Sequence, residues 1–105
     1  MIDSIRKLFG LKSGFEKLVS DGALILDVRS TEEFQRGHIP GSVNIPVIDL
    51  DRNLHKLSPP DKPIITCCKS GVRSGVAKSL LESNGYTNVH NGGGWEKLYT
   101  KINPV

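Results

Sequence analysis

Cysteine is scarce: two residues in 105, and they are neighbours, Cys67-Cys68. So few sulfurs exclude a disulfide framework, and their adjacency argues against pairing with each other. Consecutive α-carbons lie about 3.8 Å apart, short of the roughly 4.4–6.8 Å usual across a disulfide. Two free thiols fit a reducing, cytoplasmic setting. Long apolar runs are also missing. The first twelve residues carry Ile2, Ile5, Leu8 and Phe9 at helical spacing, broken by Asp3, Arg6 and Lys7. They read as a short docked surface helix, not as a signal peptide or membrane span. Charge of one sign is not concentrated anywhere. Fourteen Lys and Arg against eleven Asp and Glu leave a net +3, and the basic residues are scattered, which gives no nucleic-acid footprint. No repeat, low-complexity tract or linker interrupts the chain. With 37% hydrophobic and 24% charged residues, residues 1–105 read as one globular domain around one core.

What is present is organised around one loop, Thr66-Cys67-Cys68-Lys69-Ser70-Gly71-Val72-Arg73. A β-branched run, Ile64-Ile65-Thr66-Cys67, reads as a buried strand before it. Val72, Val76, Ala77, Leu80 and Leu81 form an apolar helical face after it, and Asn84-Gly85 supplies the stop. The loop therefore joins the C-terminal end of a strand to a helix start. Gly71 permits a tight backbone, the helix start offers unpaired N–H groups, and Lys69 and Arg73 add positive charge. These features favour a thiolate, since helix N-termini and nearby cations lower a free thiol from a pKa of about 8.5 to roughly 3.5–7.5.

Upstream, residues 14–20 follow a helical pattern that stops at the turn pair Asp21-Gly22. Ala23-Leu24-Ile25-Leu26-Asp27-Val28 is a continuous apolar run suited to a strand covered on both faces. Ser30-Thr31-Glu32-Glu33 matches a capping box and predicts a short helix ending at Gly37. His38-Ile39-Pro40-Gly41 is a turn, residues 42–45 are extended, and residues 47–57 hold a helix. Downstream, residues 87–90 read as a strand, Gly92-Gly93-Gly94 as a flexible loop and residues 95–101 as a last helix. The fold class is α/β, with a small parallel sheet flanked by helices on both faces.

Three segments resemble the single-domain rhodanese family of sulfurtransferases. They are Asp27-Val28-Arg29 with Glu33-Phe34 and the run from Gly37 to Pro46; Cys68-Lys69-Ser70-Gly71-Val72-Arg73-Ser74; and Gly92-Gly93-Gly94-Trp95. The resemblance implies a cysteine that takes a sulfane sulfur from a donor such as thiosulfate as a persulfide. It passes that sulfur to cyanide or a thiol, a protein thiol included. Carried over, Cys68 is the nucleophile and the amides of Lys69, Ser70, Gly71, Val72 and Arg73 bind substrate. Asp27, Arg29, Glu33 and His38 become scaffold. Neither metal nor organic cofactor is implied, because sulfur is both nucleophile and cargo. Counted from Cys67, the same loop resembles the Cys-x5-Arg-Ser loop of cysteine phosphatases and arsenate reductases, although Thr66 stands where that loop usually has His. A non-catalytic binding module is the third reading. No spacing supports a pair of Cys68 with His38, His55 or His90.

Overall fold

The computed structural model describes residues 14–57 and 59–103, so the helix expected over the first twelve residues lies outside the described residues. Four strands form one parallel sheet: β1 (Leu24–Asp27), β2 (Val43–Asn44), β3 (Ile64–Cys68) and β4 (Val89–Gly94), in the order β2-β1-β3-β4. The helices are α1 (Gly14–Ser20), α2 (Thr31–Arg36), α3 (Val72–Ser83) and α4 (Trp95–Ile102), with a 3-10 segment at Val47–Lys56. The α/β class, the parallel sheet and helices on both faces are as the sequence predicts.

Alternation along the strands divides the core in two. Leu26 and Val28 of the first strand and its extension join Ile64 and Cys68 of β3 on one face, beneath Leu50 of the 3-10 segment and Ala77 and Leu81 of α3. Ile25, Ile65 and Cys67 lie on the other face, against Leu98 of α4 and partly buried Phe15, Leu18 and Val19 of α1. Because both faces are covered, the central strands are apolar throughout, and all five residues of β3 are buried. The adjacent thiols consequently belong to different layers.

The capping box at α2 is complete. Ser30 Oγ accepts from the Glu33 amide at 3.2 Å, and Glu33 Oε1 accepts from the Ser30 amide at 3.1 Å. Residues 47–56 form kinked 3-10 turns, not a regular helix. The kink is at Asn53, with φ −124°, whose side chain donates to the Asp49 carbonyl at 2.7 Å.

Two expectations are corrected. Gly92-Gly93-Gly94 is not a flexible loop but the second half of β4, and Cys68 pairs with Gly94 beyond a register shift. Close approach explains two of these glycines, and a φ of +79° explains Gly93. A Cβ on Gly92 would lie 2.8 Å from Ile65, Leu98 and the Thr66 carbonyl oxygen, and one on Gly94 would lie 2.8 Å from the Lys69 carbonyl oxygen. The apolar face of α3 is also turned from its expected direction. Val72 and Val76 are 74% and 57% exposed, while Ser74, Ala77 and Leu81 are buried. The polar residues beneath the helix start cause the turn, since Thr66 Oγ1 donates to the Ser74 carbonyl at 2.9 Å and Ser74 packs beside Cys68.

Candidate active site

The loop between β3 and α3 reverses the chain within three residues. Gly71 sits at φ +106°, a left-handed conformation that side chains disfavour, and caps the twelve-residue α3. This turn folds the helix start over the end of its own strand. The Gly71 amide donates to Cys68 Sγ at 3.0 Å and the Ser74 amide does so at 3.4 Å, with Ser74 Oγ 3.5 Å from the same sulfur. Burial pushes the Cys68 thiol up. The Ser74 hydroxyl, followed by the amides of Ser74, Gly71 and Ser70, outweighs that cost and holds the thiol below its ordinary value.

Cys67 meets the opposite environment. It is fully buried on the α1/α4 face, where loss of water and then the Asp27 carboxylate push it up to about 12. One thiol of the pair is thus prepared for ionisation and the other is held neutral. Neither cysteine has a histidine among its hydrogen-bond partners in the described residues. Nδ1 of His38 is 2.7 Å from the Phe34 carbonyl and its ring stacks on Phe34, while Nε2 of His90 is 2.7 Å from Asn88 Oδ1.

The two cations expected to serve the loop behave differently. Arg73 forms a two-pronged pair with Glu33, at 2.6 and 3.0 Å. The Arg73 hydrogen bonds, with the Ser30 amide, hold the Glu33 carboxyl down at about 2. Much of the Arg73 charge is therefore neutralised, and the contact ties α2 to the loop across forty residues of sequence. Lys69 is exposed and lines an open cleft of about 230 Å3 together with Arg29, Glu33, Arg36, Gly37, Trp95 and Glu96.

Below the cleft, Arg29 lies 4.7 Å from the Trp95 ring centroid and donates to Asp27 at 2.7–3.1 Å and to the Gly37 carbonyl at 2.7 Å. Asp27, Arg29 and Glu33 hold backbone, caps and each other, as scaffold residues do. Ser70, Gly71 and Ser74 supply the hydrogen bonds credited with lowering Cys68, while the Val72 side chain faces outward. Ser74 and Asn91 were missed as site residues by sequence reasoning. Ser74 follows the Cys-x5-Arg spacing, which is the one signal that pointed to it; Asn91, on a strand seventeen residues later, gave none. Among the described residues no three His, Cys, Asp or Glu side chains gather into a metal site, and no helix is long and apolar enough to cross a membrane.

A parallel sheet covered on both faces, with a cysteine whose thiol is held below its ordinary value where a strand hands over to a helix N-terminus, defines an α/β protein organised around a loop cysteine. The Rhodanese-like domain family matches residues 12–101, and the chain belongs to that family. It is 38% identical over 92 residues to the uncharacterised protein YqhL of Bacillus subtilis (strain 168), covering 87% of this chain and 68% of that one. It is 38% identical over 75 residues to the thiosulfate sulfurtransferase PspE of Escherichia coli (strain K12), covering 70% and 71%. Among solved structures, a rhodanese with anions from E. coli superposes with a TM-score of 0.68 at 32% identity, over 71% of this chain and 89% of that one.

Proposed function

We propose that residues 1–105 are a single thiosulfate sulfurtransferase domain acting through a Cys68 persulfide. The Cys68 thiolate attacks the outer sulfur of thiosulfate. A bond forms between Sγ and that sulfur, the donor's sulfur–sulfur bond breaks, and its electron pair leaves on sulfite. Cyanide or a thiolate then attacks the outer sulfur of the persulfide, takes it as thiocyanate or a new persulfide, and returns Cys68 as thiolate. The first step brings three negative charges together, so fixed donors that need not reorganise are the useful catalyst.

The observation that carries this reading is the convergence of the Gly71 and Ser74 amides on Cys68 Sγ at the start of α3. We assign the sulfonate oxygens to the amides of the segment from Lys69 to Arg73, and Lys69 adds charge at the cleft. We assign the acceptor's approach to that cleft. It is a small molecule or a protein thiol; nucleic acid and membrane have no part, and no metal or organic cofactor enters. The cell compartment is the cytoplasm, where both thiols stay reduced.

Purified protein given thiosulfate and cyanide should release thiocyanate and sulfite in equal amounts. Release of phosphate from an aryl phosphate, with no thiocyanate, would replace this reading with the Cys67-centred phosphatase or arsenate-reductase one. Absence of both activities in folded protein would leave a binding module.

A further inference from the structure

Asn91 lies at the surface on β4, yet both ends of its amide are engaged. Nδ2 donates to the Gly71 carbonyl at 3.2 Å, while Oδ1 accepts from the Gly93 amide at 2.9 Å and from Ser74 Oγ at 2.6 Å. The two backbone partners fix which end is oxygen, because Gly93 N–H can only donate and Gly71 C=O can only accept. The residues it grips, Gly71 and Ser74, also place groups on Cys68 Sγ. Ser74 has one hydroxyl proton and two claimants for it. With Cys68 as a thiol, S–H donates to Ser74 Oγ, whose own proton goes to Asn91. When the sulfur loses its proton to solvent, it can only accept, so the hydroxyl must swing to it. Asn91 Oδ1 then keeps the Gly93 N–H.

We propose that Asn91 is a positioning residue that holds Gly71 and Ser74 around Cys68, and that the Ser74 hydroxyl is a two-position donor alternating between Asn91 and the sulfur as the sulfur's charge changes. The proposal rests on Cys68 being the nucleophile. It assigns a task to a residue that touches neither sulfur nor substrate. Around Cys68 the charged and titratable groups are few. Lys69 is on the loop, Arg73 on α3 is paired with Glu33 of α2, and Cys67 is next in the chain. The Asp27–Arg29 pair lies at the end of β1. The 3-10 segment contributes apolar Leu50, and β4 contributes His90, which is held by Asn88.

The test is the pH dependence of iodoacetamide alkylation at Cys68, located by fragmentation mass spectrometry, in wild type, Asn91→Asp, Ser74→Ala and the double variant. The aspartate keeps the size of asparagine but binds the Ser74 proton more firmly and cannot donate to Gly71. Its alkylation midpoint should rise by about one pH unit, which is roughly tenfold slower reaction near neutrality. Ser74→Ala should also raise the midpoint, because a donor to the thiolate is lost. In the Ser74→Ala background the aspartate should add less than about half of its effect, since no hydroxyl is left to divert. Equal increments in both backgrounds would mean that the new charge acts through space, and would overturn the proposal; so would an unshifted midpoint in folded Asn91→Asp or in Ser74→Ala. If Asn91→Asp fails to fold, the Ser74→Ala midpoint decides alone. A wild type that transfers no sulfur through Cys68 would overturn the underlying reading as well, and is recognised separately by the thiocyanate assay.

Discussion

The chemical difference between two adjacent cysteines comes from the pleat. Side chains on a strand alternate, so Cys67 enters the layer under α1 and α4 while Cys68 enters the layer under α3, where the helix amides are. Neither residue's own identity decides its reactivity; the donors on its side of the sheet do. The same logic separates Lys69 from Arg73. Arg73 is committed to Glu33, which leaves Lys69 as the loop's exposed cation. Lys69→Ala should raise the KM for thiosulfate several-fold at low salt. The effect should fade as salt approaches the concentrations that screen exposed charges over about 10 Å, and an uncharged sulfane donor should be affected little. Steady-state assays at two ionic strengths check this, and equal losses for both donors at both strengths would count against the electrostatic role. Sequence reading found the thiol pair, the cations and the glycine because they are contiguous. It could not find Asn91 or the Glu33–Arg73 contact, which exist only after the sheet brings distant segments together.

At the scale of elements, the parts that local chemistry dictates were legible. The Ser30/Glu33 capping box needs only four residues to be recognised, and the buried strands announce themselves as continuous apolar runs. The direction of α3 was not legible from apolar residues, because its innermost position near the site is Ser74, a polar residue satisfied by Asn91 and Cys68. The glycine half of β4 was not legible for a related reason. Glycine is a poor strand former in general, but here the strand must pass so close to Thr66 and Lys69 that nothing larger fits. Gly92 and Gly94 should differ in what they protect. At Gly92 an added methyl meets core side chains and the Thr66 carbonyl, so Gly92→Ala should cost mainly stability, about 1–3 kcal/mol. At Gly94, with φ −69°, the backbone suits alanine and the obstacle is the Lys69 carbonyl 2.8 Å away. Gly94→Ala should therefore displace the loop and lower kcat about tenfold or more, at a smaller loss in melting temperature than Gly92→Ala. Thermal melts alongside kinetics separate the two, and a Gly94→Ala enzyme with wild-type kcat would show that the loop does not depend on that contact.

At the scale of the whole molecule, a sheet sealed on both sides gives the fold a dependence on alkaline pH. Cys67 is fully buried, and burial followed by the Asp27 carboxylate pushes its thiol up to about 12 in the folded chain, well above the ordinary thiol value. The unfolded chain thus releases this proton first as pH rises. The stability linked to the neutral buried thiol is whole below about 9 and is lost progressively as pH climbs through the folded value, with a limiting slope of about 1.4 kcal/mol per pH unit. Denaturant melts of wild type and Cys67→Ala between pH 8 and 11, a range of about three units chosen to cross the ordinary thiol pKa, should show wild type losing stability faster. Parallel profiles would mean that Cys67 ionises as readily in the fold as out of it. The same layering makes a definite statement about where sulfur goes. The most direct measurement is fragmentation mass spectrometry of the intact protein after brief exposure to thiosulfate without an acceptor. The fold and the donors around Cys68 predict a gain of one sulfur atom on Cys68 and none on Cys67, with the gain absent in Cys68→Ser and kept in Cys67→Ser. Sulfur carried on Cys67, or a folded Cys68→Ser protein that still accepts it, would contradict the account and move the chemistry to the neighbouring residue.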